Sequence, residues 1–253
     1  MESLEAKVVK SLDGESDKLF TFIPYLLQDL WEMGSAPEQI IGLVQRYIEN
    51  SRSIRVLDLG CGKGAVSVIL AKAVGCKVKG IDGMASFIAD AKQKANEFGV
   101  SSLCQFEVGD IRECTETGYD LVIYGACGDA LGDFEMVVTR LASMVKAGGY
   151  IIIDDAFNDG EDEISGYLGH ERILRIFVEN GLELLLEEVA GEDELADIND
   201  DNNKKIAQRV AELKKKYSAK AEIFDNYLKN QLRESELLES DLKCVVWLLK
   251  KAI

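Results

Sequence analysis

The stretch Val56 to Gly64, VLDLGCGKG, constrains this chain more than any other. An apolar run broken by Asp58 gives way to glycine at positions 60, 62 and 64. Glycine lets the backbone turn sharply and lets a ligand approach it closely, and a helix that starts directly afterwards offers unpaired N–H groups. Strand, ligand-binding turn and helix in that order belong to sheets built from crossover units. KVKGIDG, residues 77–83, then places Asp82 at the end of the next apolar run, 22 residues after Gly60. A carboxylate there can accept both hydroxyls of a ribose, so the two segments together predict a nucleoside site.

From Ile54 onward, short β-branched runs alternate with longer helical stretches, the pattern of parallel strands joined by helices. Strands are predicted at 54–59, 77–82, 103–108, 119–124, 149–156, 182–189 and 243–250. Between the last two lies a polar stretch, about 191–242. Within it Ile206, Val210 and Leu213, then Ala221, Phe224, Tyr227 and Leu228, recur at helical spacing and predict two amphipathic helices. Ahead of the sheet, Phe20, Ile23, Leu27, Leu30 and Trp31 form one stripe over 16–33, with Pro24 able to kink or restart the helix. The chain therefore divides into a helical lid with the first sheet-covering helix (1–50), an α/β core (51–190), a helical insertion over the active-site edge (191–242) and a final strand (243–253).

Composition narrows the functions. A net charge of −16 would repel phosphate backbones, which argues against nucleic acid as a partner. No apolar run reaches the ~20 residues of a membrane span, and MESLEAKVVK lacks the apolar stretch of a signal peptide, so no membrane association and a cytoplasmic location are expected. The six cysteines show no CxxC pairing, which predicts reduced thiols and neither a disulfide framework nor a metal site.

Gly60, Gly62 and Ala65 also satisfy the looser dinucleotide pattern GxGxxA, which leaves an NAD-dependent oxidoreductase open. Three features favour another ligand. Asp58 stands where a carboxylate can meet a cationic amino group but would oppose a pyrophosphate. Val108-Gly109-Asp110-Ile111 ends the third strand with an acid suited to an adenine amine and an apolar side chain suited to its ring. A seventh strand follows the excursion after the sixth, unlike the common six-stranded dehydrogenase order.

With VLDLGCGKG, GIDG, VGDIRE, YDLVIYG and VKAGGYIIIDDA in succession, residues 54–157 resemble the class I S-adenosylmethionine-dependent methyltransferases. The resemblance implies a doubly wound, seven-stranded Rossmann-like α/β sheet of order 3-2-1-4-5-7-6 with the last strand antiparallel. It implies S-adenosylmethionine as cofactor, its methionine part against Asp58, Gly60 and Gly62 and its ribose on Asp82, with Cys61 and Gly83 also in the cofactor site. Adenine would lie between Met84 and Ile111, with Gly109 and Asp110 beside it, and the backbone carbonyls of Tyr124 and Gly125 would take the amino group. A looser likeness to a small-molecule branch with an N-terminal lid adds Trp31 and Ser35.

The remaining candidates have plainer readings beside them. Ser35 opens S-A-P-E, a capping box with Glu38, although its hydroxyl could also face the cofactor carboxylate. Asp129 and Asp155 follow strands four and five, whose ends line the crevice of an open α/β sheet, and rank first and second as acceptor-facing carboxylates, with a helix cap or loop role the plainer reading of each. His170, the sole histidine, is a candidate base but stands at a helix start, where capping or exposure is the plainer reading. The acidic runs 158–163 and 191–201 are expected to be solvated loops. The sequence thus points to methyl transfer onto a small molecule, with a non-catalytic cofactor-binding protein as the competing class.

Overall fold

The computed structural model describes residues 3–160 and 164–253. Seven strands form one sheet in the order β3-β2-β1-β4-β5-β7-β6. They are β1 (Arg55–Leu59), β2 (Lys77–Asp82), β3 (Cys104–Val108), β4 (Tyr119–Gly125), β5 (Val145–Asn158), β6 (Leu182–Val189) and β7 (Leu242–Lys251). β1 to β5 run parallel, while β7 lies antiparallel between β5 and β6. The expected order and all seven expected strands are present. β5 is the one markedly longer than its expected run, because Val145 pairs with Tyr119 of β4 at its start and pairing with β7 continues to Asn158 at its end.

The helices are α1 (Leu4–Lys10), α2 (Ile23–Leu26), α3 (Pro37–Tyr47), α4 (Ala65–Val74), α5 (Ala85–Glu97), α6 (Phe134–Met144), α7 (His170–Glu179), α8 (Glu192–Lys216) and α9 (Ala221–Ser240). Each sheet face carries its own core. On one, Ile40, Leu43 and Val44 of α3 and Val68 and Leu70 of α4 bury against Val56, Leu121 and Ile152. On the other, Val138 and Leu141 of α6 and Ile176 and Phe177 of α7 close over Leu57, Val122 and the fully buried Trp247. The near-continuous apolar runs of β1, β4 and β5 follow from burial on both faces.

A third core lies off the sheet. Ile23, Leu26 and Leu30 from the N-terminal segment meet Ile206, Val210 and Leu213 of α8, Phe224 and Tyr227 of α9, and Phe87 of α5. Phe22 and Phe224 pack edge to face at 5.0 Å, and Arg209 clasps Asp29 at 2.5 and 3.0 Å. The two additions, at opposite ends of the sequence, form a single roof.

Three local expectations fail. The stripe over 16–33 is not one helix: a 3-10 turn at Asp17–Leu19 and the four-residue α2, with Pro24 in its first turn, are all that form, although Ile23, Leu27 and Leu30 of the stripe are buried and Phe20 and Trp31 partly so. The acidic run 191–201 is helix rather than loop, since α8 begins at Glu192. The other acidic run, 158–163, ends in three residues that lie outside the described ones, as do Met1 and Glu2. Ser35 does not cap α3: the cap is Ala36, whose N–H donates instead to Asp154 Oδ2 at 3.0 Å, a carboxylate from the end of β5.

Candidate active site

The glycine turn leaves β1 directly into α4. Gly60 and Gly62 have φ of +70° and +50°. A Cβ at Gly60 would stand 2.2 Å from Cys127 Sγ, so a side chain there fails on conformation and on space, while at Gly62 the nearest atom is the movable Met33 methyl at 2.6 Å and the positive φ is the constraint. Backbone also ties the second acid to this turn: Gly62 N–H donates to Asp82 Oδ2 (2.9 Å) and Met84 N–H to Oδ1 (2.8 Å). Asp58 is 4% exposed and accepts a 2.5 Å hydrogen bond from Ser67 Oγ. Burial raises the Asp58 carboxyl to about 6 and lifts Asp82 as well.

These groups line a crevice at the carboxyl edge of the sheet, the place where open α/β sheets take ligands. Trp31, Ser35, Cys61, Gly83, Gly109, Asp110, Ile111 and Gly125 line it too. Met84 and Tyr124 do not. Met84 turns into the roof core, and Tyr124 is buried with its hydroxyl donating to the Gly128 carbonyl at 2.9 Å. Asp110 accepts from Arg112 Nη2 at 2.6 Å and from Nε at 2.9 and 3.0 Å, and this guanidinium holds its carboxyl below the usual range despite partial burial. Cys61 and Cys127 are pushed well up by burial and are not thiolates at neutral pH.

The sequence reading missed three parts of this site. The first is α1, whose Leu4 and Val8 pack over Gly83 while Lys7 lines the crevice. Ser3 at its N-cap with Leu4, Val8 and Leu12 four apart was the available signal. The second is Lys63, 4% exposed, whose ammonium donates to the carbonyls of Leu27 (2.5 Å) and Leu30 (2.7 Å) while its own carbonyl accepts from Trp31 Nε1 (3.0 Å). It bolts the N-terminal segment onto the glycine turn. The third is Ala126, held at φ +49° just past β4, a strained position for a residue with a Cβ.

A second, much larger cavity of about 1860 Å³ adjoins the crevice beneath α8 and α9. Leu12, Trp31, Met33, Ser35, Ala126 and Cys127 line both spaces and form the wall between them. Of the acceptor-facing candidates, Asp155 lines the large cavity, accepts from the Ala156 N–H at 2.8 Å and is raised to about 6 by burial. Asp129 lines it too but is bonded by Lys7 (3.0 Å) and Lys10 (2.7 Å) of α1. Burial would raise Asp129, and the two ammonium groups outweigh it and hold the carboxyl low. His170 lines neither cavity. Its Nε2 lies 2.7 Å from Glu187 Oε2, which also takes the Trp247 indole N–H, and its ring packs on Phe157 at 4.7 Å.

A seven-stranded sheet in this order, a glycine turn tied to the acid that ends β2 and a buried carboxylate beneath it define a nucleoside-binding α/β protein of the methyltransferase type. Comparison with known proteins agrees. A family model described as a methyltransferase domain matches residues 50–234, and the chain belongs to the class I S-adenosylmethionine-dependent methyltransferase family. Among curated relatives, a ribosomal protein L11 methyltransferase of Exiguobacterium sp. is 27% identical over 128 residues, 51% of this chain and 39% of that protein. A ubiquinone biosynthesis O-methyltransferase of Rhizobium etli is 33% identical over 102 residues, 40% of each chain. The chain thus spans about two fifths of the length of these relatives. In fold, it is similar to an S-adenosylmethionine-dependent methyltransferase from Thiobacillus denitrificans solved with S-adenosylhomocysteine, at TM-score 0.73 and 20% identity over 90% of this chain and 97% of that one.

Proposed function

We propose that this chain transfers a methyl group from S-adenosylmethionine to a small-molecule acceptor held in the large cavity. The carrying observation is the shared wall: a roofed space opens beside the nucleoside crevice, and residues of 11–35 and the turn after β4 line both. A protein acceptor would ask for an open approach at this edge, whereas α8, α9 and the N-terminal segment cover it with a common core.

When bound, S-adenosylmethionine supplies a methyl carbon on a sulfonium, an electrophile that needs no metal and no covalent enzyme intermediate. The chain's own residues have three tasks. Asp58 and the turn at Gly60 and Gly62 hold the amino acid end, with Asp58 offering a carboxylate to its ammonium. Asp82, fixed by two backbone N–H groups, takes the ribose, and Ile111 flanks the base. Trp31 to Ser35 and Ala126 set the aperture through which an acceptor atom reaches the methyl carbon, so catalysis rests on alignment and exclusion of water. Residues 16–35 and 191–242 act as a closing lid over the 51–190 core, while α3 belongs to the packing of the sheet itself.

Incubation of the full chain with methyl-labelled S-adenosylmethionine and a metabolite panel tests the reading, with label expected on a small acceptor. Tight S-adenosylhomocysteine binding with no label on any acceptor would leave a cofactor-binding protein instead. Label appearing only on protein would move the acceptor out of the cavity. Hydrogen exchange should show residues 19–34 and 206–228 protected by the cofactor, and equal exchange with and without it would remove the lid.

A further inference from the structure

We infer that the acceptor is a cation, a primary or secondary amine held as its ammonium between the end of β5 and one face of α9; this rests on the methyl-transfer reading above and names its substrate class. Tyr227, Gln231, Glu234 and Leu238 are four, three and four residues apart along α9, and all four line the large cavity. Asp154 and Asp155 line it from the end of β5, and Asp13 from the turn after α1. The fields of Asp13, Asp155 and Glu234 overlap: Glu234 bears on both of the others, and all three bear on Tyr167.

The donors to these carboxylates found among the described residues are neutral. Asp13 accepts from Gln231 Nε2 (2.6 Å), Asp154 from the Ala36 N–H, Asp155 from the Ala156 N–H and Glu234 from Tyr167 Oη (2.6 Å). The cations that line the same cavity each face another acid: Lys10 faces Asp129 at 2.7 Å, Arg172 faces Glu135 at 2.8 Å and Lys205 faces Asp201 at 2.6 Å. Burial lifts Asp13 and Asp155 to about 6, the mark of carboxylates taken from water without a compensating charge.

An independent observation points the same way. Tyr227 is 1% exposed, lines this cavity, sits in the field of Asp13, and its hydroxyl has no hydrogen-bond partner among the described residues. A buried hydroxyl left unmade costs about 1–3 kcal/mol, so it marks a place where a ligand completes the bonding. The cavity it lines is rich in acceptors: the carboxylates of Asp13, Asp155 and Glu234, with Asp13 the one whose field reaches Tyr227. An ammonium carries only donors and satisfies such a set, while a carboxylate or phosphate acceptor would meet like charge. Apolar lining from Leu27, Leu30, Ile198 and Ile206 suits an amine on an alkyl or aryl body.

In the transfer, the ammonium gives one proton to a carboxylate of this group. The freed lone pair forms the N–C bond as the C–S bond breaks, its electron pair going to sulfur, and the product leaves as the N-methylated ammonium. Asp155 and Glu234 bind and orient the nitrogen, and Tyr227 completes its hydrogen bonding.

The test is calorimetric titration of the full chain, with and without S-adenosylhomocysteine, using 2-phenylethylamine and hexylamine beside 2-phenylethanol, hexan-1-ol and 3-phenylpropanoic acid. At least one amine should bind ten times more tightly than its alcohol, with the acid weakest. Glu234→Gln and Asp155→Asn should each weaken that amine at least fivefold while leaving S-adenosylhomocysteine affinity within twofold. Should either variant fold poorly, Tyr227→Phe, which deletes one oxygen with no partner, should melt no lower than the native chain and still weaken the amine several-fold. Alcohols that match the amines, amines that fail to bind, or amine affinity indifferent to all three substitutions would overturn the inference. Labelled S-adenosylmethionine then separates the two readings. Label on nitrogen supports both. Amine bound without label leaves the cation site standing and defeats methyl transfer, and label on an alcohol oxygen with the amine untouched does the reverse.

Discussion

The two halves of this site are made differently. The donor half, from β1 through the turn to Asp82, is built of backbone and of acids within a few residues of a strand end, and its critical distances are set by glycine. The acceptor half is built of side chains from residues 11–36, from β5 and from α8 and α9, joined by contacts such as Arg209 to Asp29 and Tyr25 to Glu212 (2.6 Å) that cross 180 residues or more of chain. A site of the first kind tolerates almost no change at a few positions. One of the second kind spreads its requirements over many.

The largest effect should therefore come from the turn. Gly60→Val adds a side chain where Cys127 Sγ lies 2.2 Å from a Cβ, on a backbone at φ +70°. S-adenosylhomocysteine affinity should fall at least a hundredfold by calorimetry, about 2.7 kcal/mol, with the melting temperature reporting the strain separately. Affinity within tenfold of native would mean that the donor half is as forgiving as the roof.

Next comes pH, where the two halves share one chemistry with opposite readouts. Burial raises Asp13, Asp58 and Asp155 to about 6 and Asp154 to about 7. Raised carboxyls bind protons in the folded state that the unfolded chain has released, so between about pH 4 and 7 these groups make the cofactor-free protein more stable as pH falls. Cofactor binding needs Asp58 ionised to meet an ammonium, so affinity should drop as pH falls through about 6, by up to tenfold per unit. Melting curves and titrations across pH 5 to 8 check both signs. In Asp58→Asn the affinity should be weaker and flat through this window, and a retained slope would assign the titration to another group.

Lys63 joins the halves, and its loss should rank third. Lys63→Met keeps the buried stem but leaves the Leu27 and Leu30 carbonyls without their donor, at about 1–3 kcal/mol for each buried group left unsatisfied. The melting temperature should fall by several degrees and exchange should rise across 19–34. Cofactor affinity should weaken less than tenfold, because the turn itself is untouched. An unchanged exchange pattern would show that the roof core holds the segment without the lysine.

What could be read from sequence follows the same division. VLDLGCGKG and GIDG specify their own geometry, because a turn and the strands around it are local, and the order of the sheet came with the family resemblance that the motifs carry. The roof was legible only as amphipathic faces. Ile206, Val210 and Phe224 announce that something covers them, but only three dimensions show that it is Ile23 and Leu26. Ser35 misled for a related reason: its S-A-P-E pattern is a sound local cap signal, and a carboxylate from β5 arrives to bond Ala36 instead. Lys63 gave no signal at all, since a lysine between two glycines reads as solvated until residues 27–30 are laid over it.

The smallest effect should fall on Asp129, the acid that chain position alone favours most. Its side chain is 53% exposed, and its two partners, Lys7 and Lys10, both belong to α1. Ion pairs this open to water contribute about 0.2–1 kcal/mol and are screened by salt, so the carboxylate acts as a tether for the first helix. Asp129→Asn should therefore change S-adenosylhomocysteine affinity less than threefold, with the loss vanishing as salt is raised. Turnover on an identified acceptor should follow the same pattern. A fall in turnover of tenfold or more that persists at high salt would place Asp129 beside the acceptor nitrogen and draw the acceptor half closer to β4 than the Asp155 and Glu234 group implies.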